Sequence, residues 1–198
     1  KQQAREELHL DSRPCILSFG GSLGAGTLNR IMADVIAWHC KDARYHHIHG
    51  YGRMGKDTFL PALEQKGIDV SQYPQLDVRE YIDNMDTCMA AADLVICRAG
   101  ASTLSELQAV GKASILLPSP NVAENHQYHN AMVLQNHGAA VVIEDKDVTA
   151  QWMIRQIEEI CDHPDRLREL SENAKKLAIT DTDARIYAVI DAVMHGKS

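Results

Sequence analysis

Two short runs of small residues, Gly20-Gly21-Ser22-Leu23-Gly24-Ala25-Gly26 and Arg98-Ala99-Gly100-Ala101-Ser102-Thr103, are the segments of this chain best suited to chemistry with an anion. Each follows an apolar, strand-like stretch and opens a helix-like one. Small residues let the backbone approach a ligand closely, and the unpaired N–H groups and positive dipole end of the following helix attract negative charge. The pattern points to a ligand that carries phosphate.

The spacing narrows which phosphate ligand. Neither run supplies the lysine of G-x-x-x-x-G-K-[ST], so hydrolysis of a nucleoside triphosphate is not expected. Residues 20–26 lack the G-x-G-x-x-G spacing, and no acid lies between Asp42 and Asp57 to take a ribose at the end of a second strand, which argues against a nicotinamide or flavin dinucleotide. The pairs Asp145/Asp147 and Asp181/Asp183 have the spacing to hold a metal-bound nucleotide. Both precede helix-like segments, however, where aspartate is a common cap, and capping is the preferred reading. His47 and His49 share one face of a strand and amount to two metal ligands without a third, so a half-exposed strand is expected there. The expectation is no metal and no cofactor.

The chain carries 20 Lys+Arg against 27 Asp+Glu, a net charge of −7, which is the wrong sign for a nucleic-acid surface. A small-molecule partner is expected. Five cysteines, Cys15, Cys40, Cys88, Cys97 and Cys161, fall at irregular spacings, several inside apolar runs, as suits reduced thiols in a cytosol. No apolar run is long enough to span a bilayer, and Lys1-Gln2-Gln3 does not begin a signal peptide. Without an initiator methionine, the chain reads as a segment of something longer.

The elements that must position the two turns follow from periodicity. Strand-like runs at 15–19, 45–49, 75–78, 94–98, 114–118 and 140–143 are short and rich in Ile, Leu and Val, as strands covered on both faces should be. Leu28, Ile31, Met32, Val35 and Ile36 follow the helical rule. Ala131, Leu134 and Gln135 follow it less closely, with Gly138 as a stop. Helices at 151–161, 165–178 and 182–195 close the chain, Pro164 setting the first break. No linker divides the sequence, so residues 1–198 are expected to form one domain.

Strands alternating with helices predict an α/β fold, a doubly wound parallel sheet with strand order 3-2-1-4-5-6. Strands 1 and 4 are then neighbours at the topological switch point, where ligands bind. Both turns open on that crevice, with the loop at 119–126 beside them.

Three segments also resemble the MurG family of peptidoglycan N-acetylglucosaminyltransferases: Ile16-Leu17-Ser18-Phe19-Gly20-Gly21-Ser22-Leu23-Gly24-Ala25, residues 92–107 (ADLVICRAGASTLSEL), and Glu124-Asn125-His126-Gln127-Tyr128-His129-Asn130-Ala131. That family moves GlcNAc from UDP-GlcNAc to the C4 hydroxyl of undecaprenyl-diphospho-muramoyl-pentapeptide. The resemblance spans about the whole chain and implies the Rossmann-like, C-terminal donor-binding half of a two-domain GT-B enzyme. It implies an N-terminal acceptor domain absent from this chain, no catalytic residue within it, and a full-length protein that is cytoplasmic and peripheral on the inner face of the cell membrane.

By the same resemblance, Ser22 bonds the donor diphosphate while Gly21 and Gly24 give backbone access, and the uracil contact falls on Ile82, which follows Tyr81. Ala101, Ser102 and Thr103 meet phosphate and sugar at a helix N-terminus, with Leu104 and Ser105 in the same stretch. Glu106 takes the ribose hydroxyls and Gln127 those of GlcNAc. Asn130 supports the site, and His126 stands where some members carry glutamine. Plainer readings stay open beside these. Thr103-x-x-Glu106 has capping-box spacing, the glycines suit any tight turn, and Gln127 and Asn130 suit a helix start and its solvated face. Two other functions share the architecture: one half of a UDP-GlcNAc 2-epimerase-like isomerase, or a non-catalytic UDP-sugar-binding subunit.

Overall fold

Strand β1 (Cys15–Phe19) sets the pattern of the sheet: Ile16 turns into one hydrophobic core while Cys15 and Leu17 turn into another, as the two-residue period of a strand requires. In β4 (Leu94–Cys97), Leu94 and Ile96 face the first core and Val95 and Cys97 the second. Strands apolar on both faces need cover on both faces.

The computed structural model describes residues 1–179 and 182–195. In it β2 (His46–Gly50), β3 (Leu76–Arg79), β5 (Ala113–Leu116) and β6 (Val141–Val142) complete one sheet in the order β3-β2-β1-β4-β5-β6, every pairing parallel. This is the predicted order. The strand ends differ from the sequence reading by a residue or two, and β6 shrinks to two residues.

Helices α2 (Gly26–His39), α3 (Phe59–Gln65) and α7 (Ala150–Cys161) supply the first core, and α4 (Met85–Ala91), α5 (Ala101–Val110) and α6 (His126–Asn136) the second. Helix α8 (Pro164–Lys176) begins at its proline, whose missing N–H costs nothing in a first turn, and α9 (Thr182–Met194) follows. Asp181 lies outside the described residues.

One expectation needs correction. β2 is not half-exposed: all five of its residues are buried, and its histidines are absorbed into the interior. The chain also opens on a short helix, α1 (Gln2–Glu7), which the periodicity of the sequence did not place. No apolar stripe announces it. It is held by Arg5, which donates to the carbonyls of Ala91 and Arg13 and pairs with Asp93. All five cysteines are buried and unpaired.

Candidate functional site

The run after β1 is locked to the exit of β2 by main-chain contact. Arg53 N–H donates to the Ser22 carbonyl at 3.2 Å and Met54 N–H to that of Leu23 at 2.9 Å. Gly24 and Gly52 meet so closely that a Cβ on Gly24 would lie 2.2 Å from the Tyr51 oxygen, and one on Gly52 2.1 Å from the Gly24 nitrogen. Both also have φ in the left-handed region, +84° and +70°. Glycine is required at both by space and by conformation. Gly21 and Ser22 stand exposed at the tip of this turn.

The second run folds as predicted into a helix start. Gly100 is the cap of α5 in extended conformation, and Ala101 and Ser102 are exposed in the first turn. No side chain caps this helix, and it begins at Ala101, so Thr103 sits inside the first turn and not at the cap. The capping-box reading of Thr103 and Glu106 therefore falls, and Glu106 is exposed at the site. Leu104 is buried in the core. Ser105 Oγ donates back to the Ala101 carbonyl at 3.1 Å.

A cleft of about 530 Å³ opens where the two runs meet, and Gly21, Gly24, Thr103 and Gln127 line it. An adjoining pocket of about 190 Å³ shares Phe19, Gly21 and Thr103 with it and is walled by Ser22, Ile82 and Glu106. Ile82 is buried, while the preceding Tyr81 is 58% exposed. Ala101, Ser102, Ser105, His126 and Asn130 are not part of either lining. His126 is exposed and opens α6, with Asn130 half-buried one turn on.

The third wall is the loop between β5 and α6, which the sequence placed beside the turns. Ser119 and Asn121 line the cleft from it. Gln127 Oε1 accepts from the Ser119 backbone N–H at 2.9 Å, which fixes the amide and leaves its Nε2 to donate into the cleft. Sequence reasoning missed the pairing of two charged residues here. Arg98, half-buried at the end of β4, donates to the carbonyls of Leu117 (3.1 Å) and Pro118 (3.3 Å) and forms a two-pronged ion pair with Asp145. The signal was present, because a lone cation directly after an apolar strand at the switch point needs a partner. Asp145 is thus not a helix cap; Thr149 caps α7, its side chain accepting from Trp152 N–H at 3.1 Å. A threonine nearer the helix supplies what the aspartates were expected to supply.

Beneath the first turn lies a chain of buried polar groups. Ser18 Oγ sits 2.7 Å from both His47 Nε2 and His49 Nδ1, and His47 Nδ1 is 3.1 Å from His39 Nε2. Burial keeps all three imidazoles neutral, holding His39 down to about 4, His49 to about 3 and His47 well below the usual histidine range. Among the described residues no group of three or more His, Cys, Asp or Glu side chains is arranged to hold a metal ion, and no helix is long and apolar enough to cross a membrane.

Known proteins resemble this chain in sequence and in fold. The chain is 38% identical over its whole length to the UDP-N-acetylglucosamine--N-acetylmuramyl-(pentapeptide) pyrophosphoryl-undecaprenol N-acetylglucosamine transferase of Acetivibrio thermocellus, 53% of which it covers. Among solved structures it is similar to Acinetobacter baumannii MurG, with a TM-score of 0.77 and 25% identity over 95% of this chain and 52% of that one. It shares its fold with the UDP-GlcNAc 2-epimerase of Neisseria meningitidis, with a TM-score of 0.66 at 10% identity over 96% of this chain and 47% of that one. The chain spans about half the length of the curated relatives it matches. The model of the glycosyltransferase family 28 C-terminal domain matches residues 15–186, and the chain belongs to that family.

Proposed function

We propose that this chain is the donor-binding half of a glycosyltransferase that moves GlcNAc from UDP-GlcNAc to a lipid-linked muramoyl-pentapeptide in peptidoglycan synthesis. The observation that carries the reading is the convergence of two small-residue turns, each opening a helix, on one cleft with a narrower pocket beside it. Diphosphate at the helix starts, uridine in the narrower pocket against Ile82 and Glu106, and sugar toward Gln127 account for all three walls.

Chemically, UDP leaves as the anomeric carbon becomes cation-like, and the developing charge on the diphosphate must be met. Backbone N–H groups already aimed by the folded turns, reinforced by two helix dipoles, meet it without reorganising, each well-aimed donor being worth about 3 kcal/mol. The acceptor alcohol needs a base and an in-line seat. In this reading both come from an N-terminal acceptor domain, and the full-length enzyme works at the cytoplasmic face of the membrane where the lipid-linked acceptor resides.

Calorimetry in EDTA tests the donor site. UDP should bind this chain, and UDP-GlcNAc similarly or somewhat more tightly. Binding that appears only after adding Mg²⁺ or Mn²⁺ would overturn the metal-free reading. Incubated alone with UDP-GlcNAc and the lipid-linked acceptor, the chain should form no disaccharide at enzymatic rates, having lost a proximity contribution of about 7–11 kcal/mol. Conversion of UDP-GlcNAc to UDP-ManNAc, with no net release of UDP, would favour the epimerase class instead.

A further inference from the structure

We propose that Arg98 is a positioning residue for the sugar end of the donor, acting through the β5–α6 loop on Gln127, and that it is not a phosphate ligand; this rests on the donor-site reading above. An arginine at the mouth of an anion site invites the opposite assignment. Its bonds argue against it. The guanidinium is matched by the two carboxylate oxygens of Asp145, and Nη1 also donates to the Leu117 and Pro118 carbonyls. The side chains of the pair are only 16% and 15% exposed. A diphosphate entering the cleft therefore meets a compensated ion pair and not a free cation, and recruiting Arg98 would strand a half-buried carboxylate.

What the pair does hold is the course of the chain. Arg98 directly follows β4, Leu117 and Pro118 leave β5, and Asp145 follows β6, so one guanidinium fastens three neighbouring strand exits. The residue after Pro118 is Ser119, whose N–H is the bond that orients Gln127. The order of support thus runs from Asp145 to Arg98, to the 117–118 carbonyls, to Ser119 and to the Gln127 amide. A lysine cannot replace the fork, because a single ammonium cannot span a bidentate carboxylate and two carbonyls in one geometry. The first turn shares none of these bonds, so loosening the loop should leave the UDP contacts in place.

The test is calorimetric titration of the chain with UDP and with UDP-GlcNAc for the wild type, Arg98→Lys, Asp145→Asn, Gln127→Ala and the double variant Arg98→Lys/Gln127→Ala. Near-ultraviolet circular dichroism at the titration temperature identifies folded variants. Asp145→Asn approaches the same pair from its other end with an isosteric change. We expect Arg98→Lys and Asp145→Asn each to lower the ratio of UDP-GlcNAc to UDP affinity about tenfold, within the range for a displaced substrate-positioning group, with UDP affinity itself nearly unchanged. The double variant should lose little more than Gln127→Ala alone, since both changes break one line of support. A parallel loss of UDP affinity in a folded variant would overturn the proposal in favour of direct phosphate contact, as would full additivity in the double variant. A wild-type chain that binds neither ligand would overturn the donor-site reading and this inference together.

Discussion

On the β1 side of the cleft the main chain supports itself: backbone bonds join the first turn to the β2 exit, and two glycines touch where no side chain fits. On the β5 side the loop is held by side chains, through Arg98, Asp145 and Gln127. The difference teaches which changes each wall tolerates. A wall built from backbone should survive truncation of its side chains and fail when an atom is added; a wall built from side-chain bonds should fail on truncation.

The largest contrast should open in acid, because the three buried imidazoles, His39, His47 and His49, all lie under the β1 wall. They are neutral in the fold and bind protons near pH 6.5 once unfolded, so stability is full above that value and falls as pH drops below it. At pH 5 the loss is about 2 kcal/mol per imidazole, roughly 6 in all, from 1.36 kcal/mol per unit. Urea denaturation at pH 7, 6 and 5, with hydrogen exchange on α2 and β2, measures it. A midpoint that does not move between pH 6.5 and 5 would contradict the neutral chain.

Next in size is a single added carbon. Gly52→Ala drives a Cβ to 2.1 Å from the Gly24 nitrogen at a φ of +70°, and should cost at least about 3 kcal/mol and most of the UDP affinity. Ser22→Ala, a truncation on the same wall, should change stability by no more than about 0.5 kcal/mol. Thermal melts of the two variants decide it; a Gly52→Ala protein as stable as wild type removes the idea of a main-chain lock.

The smallest effect sharpens the role of Glu106, which faces the narrower pocket and caps nothing. Glu106→Ala should weaken UDP by about 2 kcal/mol, as for hydrogen bonds to a charged group, while the melting temperature stays close to wild type. Lost stability with intact UDP binding would return Glu106 to a structural role.

Much of this was legible in the residues. The strand order, the meeting of both turns and the place of the third loop follow from runs such as Cys15-Ile16-Leu17 and Leu94-Val95-Ile96, whose composition demands cover on both faces. What escaped depended on pairing across long separations. Nothing local to Arg98 names Asp145 as its partner, and nothing in Tyr45-His46-His47-Ile48-His49 shows that Ser18 and His39 wait to accept those rings into the interior. A polar strand reads as exposed until its partners are known. Helix α1 escaped for the same reason, since its anchor, Asp93, lies 88 residues from Arg5.

The contact between Gly24 and Gly52 bears finally on how fast the site can be filled. A turn already fixed by its neighbour has no slow ordering step, so the encounter with a dianionic ligand becomes the slow event. The chain's net charge of −7 opposes that encounter at long range, and dissolved salt screens the opposition within about 10 Å at 0.1 M. On the donor-site reading, association with UDP-GlcNAc should therefore quicken as ionic strength rises, the reverse of what a basic phosphate-binding surface shows, until screening reaches the helix dipoles at the two turns.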